Sequence, residues 1–151
     1  MGLRPRSRKA GTGAVVGLLA AAATMTMAVA TPANASSATR LAAPPPSTSP
    51  APERVVFTPG GTVDCPSGRA CAGVPVASGG GYVFQFYKYG RYRLNYFLGT
   101  GPVYNNQTDR AAMRFYDRNG VQVKNGCLPP KVHRQINWDP IWYIGLTQTP
   151  C

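Results

Sequence analysis

The sequence predicts an all-β domain, a sandwich or small barrel, over its C-terminal two-thirds. Three observations carry that expectation. Several short segments alternate apolar and polar residues with a period of two, as half-buried strands do. Gly- and Pro-rich turns separate them at close spacing. No stretch of ten or more residues shows helical periodicity with caps. All 15 aromatic residues lie between Phe57 and Tyr143, and all four cysteines between Cys65 and Cys151.

The first strand candidate has Tyr82, Phe84 and Phe86 on one face. The next reads RYRLNYFL, with Tyr92, Leu94, Tyr96 and Leu98 on one side and Arg91, Arg93 and Asn95 on the other; Gly90 makes the turn or bulge between the two. Ala111, Met113 and Phe115 form a third apolar row. Asp117-Arg118-Asn119-Gly120 then makes a hairpin turn, and Val121 and Val123 begin the return. Trp142, Ile144 and Leu146 form the last row. Trp138 and Trp142 flank Asp139-Pro140 and are expected in the core.

The chain ahead of this domain has a different character. Arg4, Arg6, Arg8 and Lys9 precede an uncharged run at residues 14–30, followed by Ala33-Asn34-Ala35. A basic start, an apolar run and a small-x-small site make an export signal, cut after Ala35. Residues 36–54 are rich in Pro, Ala, Ser and Thr and are expected to be a disordered linker. The folded domain is placed at residues 55–151.

Charge narrows the partners. The net charge of the 151-residue chain is +11, and residues 1–35 hold four cations and no acid, which leaves +7 on the exported part. Such a protein is drawn to anionic surfaces. Lys88, Arg91 and Arg93 are the candidate basic face for an anionic cell-envelope polymer. Tyr87-Lys88-Tyr89-Gly90-Arg91-Tyr92-Arg93 also interleaves cations with aromatics as a nucleic-acid stacking surface does. Export and strand alternation account for the same pattern, so no nucleic-acid partner is assigned.

Four cysteines in a small exported domain read as two disulfides. Of the three possible pairings, Cys65 with Cys71 is favoured because they bracket a Pro-Ser-Gly turn. Cys127 with Cys151 would then tie down the C-terminus. A metal site is not assigned, because Cys65 and Cys71 lack C-x2-C spacing and His133 is the single histidine. Catalysis is not assigned either. His133 has no nucleophile elbow near it, and Asp117 and Asp139 belong to turns.

Several phrases in order resemble a known group. They are Cys65-Pro66-Ser67-Gly68 with Cys71, Tyr87-Lys88-Tyr89-Gly90, Asn105-Asn106-Gln107-Thr108, Phe115-Tyr116-Asp117 with Asn119-Gly120, and Asn137-Trp138-Asp139-Pro140-Ile141-Trp142. Together they resemble the Streptomyces-type secreted metalloproteinase inhibitor family across residues 55–151. That resemblance implies a βγ-crystallin-like Greek-key sandwich acting as a monomer without a cofactor. It also implies inhibition of a secreted, thermolysin-like metallopeptidase by an inserted loop held by a disulfide. The loop is placed at residues 123–131, with Cys127 as anchor, Leu128 as the apolar side chain entering the protease pocket, and Pro129 as stiffener. Envelope binding, or toxicity like that of killer-toxin-like βγ-crystallin relatives, is the alternative. Calcium is not assigned, since Asp109 stands after Thr108 where calcium-binding relatives carry Ser.

Overall fold

The computed structural model describes residues 43–151, so the export signal and the first part of the linker lie outside the described residues. Ten strands run in chain order: β1 Ser47–Ser49, β2 Arg54–Thr58, β3 Ala70–Pro75, β4 Gly81–Phe86 and β5 Gly90–Asn95, then β6 Thr100–Asn105, β7 Ala112–Tyr116, β8 Gln122–Leu128, β9 Val132–Asn137 and β10 Tyr143–Thr147. No helix occurs among the described residues. Two five-stranded antiparallel sheets form, sheet I in the order β1-β5-β10-β7-β8 and sheet II in the order β2-β4-β3-β6-β9. Strands β3–β6 and β7–β10 form two successive quartets, and β4-β3-β6-β9 in sheet II corresponds to β8-β7-β10-β5 in sheet I, each holding the first, second and fourth strands of one quartet and the third of the other. The third strand of each quartet, β5 or β9, thus lies in the other quartet's sheet and interlocks the halves.

Alternation along the strands builds the core. Phe84 and Phe86 face Tyr92, Leu94, Met113, Phe115, Ile144 and Leu146 across the sandwich, with Trp138 fully buried among them. Phe97 packs on Phe84 at 4.6 Å and edge-on against Trp138 at 5.3 Å between ring centroids. Trp138 Nε1 donates to the carbonyl of Gly73 at 3.0 Å, so the buried indole is satisfied. Sheet II is covered on its outer side as well. Val83, Cys65 and Cys71 form a small second cluster with Val63 and Tyr104, and Gln85 Nε2 donates to the Asp64 carbonyl.

Three expectations change. Ser47–Ser49, placed in the linker, pairs with β5 through Ser47–Asn95, Thr48–Leu94 and Ser49–Arg93. An open sheet edge supplies backbone hydrogen bonds to a segment with almost nothing apolar to bury, and composition does not reveal such an edge. The row Tyr92, Leu94, Tyr96, Leu98 stops after Leu94, because Tyr96 adopts a left-handed φ of 58°. That reversal turns Phe97 inward and leaves Tyr96 and Leu98 exposed. Trp142 precedes β10 and stays 38% exposed, while Trp138 takes the core position.

Both disulfides follow the favoured pairing. Cys65–Cys71 and Cys127–Cys151 each span 5.8 Å between Cα atoms, with sequence separations of 6 and 24. Because loop-closure entropy grows with loop length, the second bridge contributes more. Replacing Cys127 and Cys151 by Ser should cost about 3 kcal/mol of unfolding free energy, against about 2 kcal/mol for Cys65 and Cys71. Urea midpoints of the two double variants check the order.

Candidate functional site

Alternation in β5 sends Tyr92 and Leu94 into the core and therefore puts Arg91 and Arg93 on the outer face of sheet I. Gly145 on the central strand β10 lies opposite Arg91 and Arg114. Its missing side chain matters, because a Cβ there would stand 2.9 Å from Cε2 of Tyr116. The Tyr116 ring can therefore lie across the strand. Arg91 stacks its guanidinium over that ring at 4.3 Å and stands 5.6 Å from the ring centre of Tyr143. Such stacking holds a cation in place without neutralising it.

Arg93 stands opposite Tyr143 on one side and Ser49 on the other. Arg114 reaches along the same face. It donates to Thr147 Oγ1 at 3.4 Å, Gln122 Oε1 at 2.9 Å and the Pro150 carbonyl at 2.7 Å, and so ties the C-terminal residues down. No carboxylate lies within salt-bridge distance of Arg91, Arg93 or Arg114; the ion pair found among the described residues joins Arg69 to Glu53. Asp117, in the adjacent hairpin, directs Oδ1 to the backbone N–H groups of Asn119 and Val121, both at 2.9 Å. The outer face of sheet I thus presents the side chains of Arg91, braced by Tyr116 and Tyr143, of Arg114, held by hydrogen bonds, and of Arg93, none of them paired with a carboxylate.

Lys88 does not belong to this face. It sits with Tyr87 and Tyr89 in the turn between β4 and β5, all three exposed. The sequence grouped Lys88 with the two arginines because they are close along the chain, and the turn at residues 87–89 separates them.

The expected inhibitory residues are placed differently as well. Leu128 is the last residue of β8, opposite Met113, and is 1% exposed within the core. Its carbonyl accepts Asn105 Nδ2 at 2.8 Å. Its side chain is therefore not free to enter a protease pocket. Cys127 is half-buried opposite Arg114, and Pro129 is exposed beyond the strand. The reason is a bulge. β7 pairs Tyr116 with Gln122 and then Arg114 with Cys127, so four residues, 123–126, stand against Phe115 alone. Lys124 and Asn125 protrude there, Asn125 at a φ of 56°. The Asn125-Gly126 pair was the sequence signal for this turn. With the bulge unrecognised, the strand beyond it reads as loop.

His133 is exposed on β9, edge-on to Tyr104 at 6.2 Å between ring centres. Arg134 on the same edge strand points inward over Phe115 at 5.4 Å, and burial lowers its pKa from the usual arginine value. An inward-facing charge on an edge strand discourages pairing with another chain. Among the described residues no three His, Cys, Asp or Glu side chains are grouped to hold a metal. Comparison with protein-family models, with curated proteins and with solved structures finds no match for this chain.

Proposed function

We propose that the protein is an exported, non-catalytic binding domain that attaches to an anionic polymer of the cell envelope through the outer face of sheet I. The observation that carries this reading is the Tyr116–Arg91–Tyr143 stack, continued by Arg93, with no carboxylate to neutralise it. A guanidinium held by aromatic faces loses little freedom on binding and offers a planar fork to phosphate or carboxylate groups. The two disulfides fit an oxidising compartment, as the basic and apolar start of the chain fits export. The exchanged strands β5 and β9 support the βγ-crystallin-like architecture that the family resemblance implies.

The test is retention on immobilised polyglycerol phosphate across a salt series. The Arg91→Ala/Arg93→Ala double variant should bind about thirtyfold more weakly at low salt, taking about 1 kcal/mol per arginine near an anionic surface. Affinity of the native protein should fall steadily as salt screens the charges. Unchanged retention of the double variant, with its melting temperature preserved, would sink the reading.

Peptidase inhibition is the second reading, favoured by one observation. Lys124 and Asn125 protrude on a turn whose following residue is bonded to Cys151, a preorganised geometry. In this form the inserted residues are Lys124 and Asn125, with Leu128 serving only the core. Thermolysin and trypsin should be titrated with the oxidised protein. Stoichiometric inhibition abolished by Lys124→Gly/Asn125→Gly would put this reading first, and absence of inhibition would remove it.

A further inference from the structure

A separate feature is built around the turn that carries Lys88. Gly68, Tyr87, Lys88, Tyr89, Gln107 and Thr108 line a cavity of about 380 Å³. That volume is within the range of small-molecule sites. A second cavity of about 190 Å³ shares Tyr87 and Lys88 and is completed by residues 51–53 and Tyr92. The two hollows therefore flank one ridge.

The walls are held in place by contacts of their own. On one side the Cys65–Cys71 bridge closes the loop that carries Gly68. The N–H of Gly68 donates to the Asn106 carbonyl at 2.9 Å, and Asn106 Nδ2 donates to the Cys65 carbonyl at 2.8 Å. Lys131 Nζ donates to Asn106 Oδ1 at 2.8 Å. On the other side Tyr92 donates its hydroxyl hydrogen to the Lys88 carbonyl at 2.7 Å. Burial, and secondarily the negative Glu53, raise the Tyr92 pKa and keep that donor protonated. Arg69, paired with Glu53, lies over the Tyr87 ring at 4.3 Å.

Gln107 supplies what this frame leaves open. It is 3% exposed, and its Oε1 is the buried side-chain polar atom found without a partner among the described residues. A buried acceptor in that state calls for a donor from outside the chain. Rotation of the terminal amide presents either its acceptor or its donors to the cavity. Tyr87 and Tyr89 meanwhile expose 54% and 50% of their surface, large for aromatic side chains on a turn fixed at both ends.

We propose that the two hollows form a glycan-binding site for pyranose units of a polysaccharide, one ring in each hollow with the chain crossing Tyr87 and Lys88. A pyranose ring has an apolar C–H face, which suits the exposed Tyr89 and the side of Tyr87 that Arg69 leaves open, and peripheral hydroxyls, which both donate and accept. Those hydroxyls suit Gln107, Thr108 and Lys88. The Glu53–Arg69 pair beside the second hollow is neutral in sum, which leaves Lys88 as the one unpaired charge lining the two hollows, and the unpartnered Gln107 disfavours a purely apolar ligand. This site uses none of the arginines of sheet I, so it stands or falls independently of the polymer-binding face.

The test is calorimetric and NMR titration of the oxidised protein with chitohexaose and with cellohexaose, which differ in the N-acetyl group. At least one should bind with a dissociation constant on the order of 0.1–1 mM. Binding should survive about 0.5 M NaCl, because it does not depend on charge attraction. Tyr89→Ala and Tyr87→Ala should each weaken it about tenfold, and Arg91→Ala/Arg93→Ala should leave it unchanged. The idea is overturned if neither sugar shifts a resonance at about 10 mM, or if both tyrosine variants bind as the native protein does. Loss of binding with salt, together with loss in the arginine variant, would also overturn it by assigning the affinity to sheet I.

Discussion

Gly101→Ala is expected to lower the unfolding free energy by about 4 kcal/mol and the melting temperature by about 20 °C. Gly101 in β6 lies beside both the Gly73 carbonyl and the indole of Trp138. A Cβ at that position would stand 2.0 Å from the Gly73 carbonyl oxygen and 2.7 Å from Trp138 Nε1. Neither neighbour can yield cheaply. The carbonyl belongs to β3 in the middle of the sheet, and the indole is fully buried against Phe97 and Phe115. Displacing either also breaks the Trp138–Gly73 hydrogen bond and leaves a buried donor unpaired. A domain of this size has only about 5–15 kcal/mol in reserve, so such a loss is large. Gly60→Ala is the control, since the nearest atom to a Cβ there is Thr62 Oγ1 at 3.9 Å. Thermal unfolding of both variants side by side measures the difference, and equal melting temperatures would contradict the packing argument.

Asn105→Asp should be comparably damaging and should also show a pH signature. Asn105 is fully buried at the end of β6 and joins three segments. Its Nδ2 donates to the carbonyls of Ala111 at 2.9 Å and Leu128 at 2.8 Å, and its Oδ1 accepts the Gln107 N–H at 3.3 Å. A carboxylate there would face two carbonyl oxygens with no hydrogen to offer. The folded state of the variant therefore holds the carboxyl protonated, with a pKa raised above that of an unfolded Asp. Below about pH 4 the group is neutral in both states, and one carbonyl can still receive its proton. Above that pH the unfolded state binds fewer protons than the folded one. Stability then falls with rising pH at about 1.4 kcal/mol per unit, until the folded group ionises. Urea unfolding from pH 4 to 7 should show the deficit of the variant growing by several kcal/mol. A deficit independent of pH would exclude this account.

The fold class was legible in the sequence because the core of each apolar row obeys the period of a strand, even where its ends depart from it at Tyr96, Leu98 and Trp142. Phe84 with Phe86, and Met113 with Phe115, needed no partner to be recognised as one face. Local reach favoured Cys65 with Cys71, and the structure decided both bridges. The arginine face was legible in part: Arg91 and Arg93 alternate with core residues, but Arg114 comes from a distant strand. Nothing in the sequence joins it to them. Gly145 is a gap only because Tyr116 lies across it, and the two residues are neighbours through the pairing of β10 with β7. Leu128 shows the limit most clearly. An apolar residue among Lys, Asn, Gly and Pro reads as a loop tip, yet the bulge at residues 123–126 resets the alternation and turns it inward.

What the sequence by itself determined is what depends on neighbours within a few residues. That comprises the strand periodicity, the Asp117–Gly120 turn, the Pro-Ser-Gly turn between Cys65 and Cys71 and the basic charge of the domain. Tertiary structure decided the pairing of Ser47–Ser49 with β5, the burial of Leu128 and Asn105, the Tyr116–Arg91–Tyr143 stack, and the meeting of Gln107 with Tyr87 and Tyr89. Each of these depends on register between strands remote in sequence. Register is set by the mutual burial of two faces and by bulges, and a shift of one residue would exchange every inward side chain for its outward neighbour.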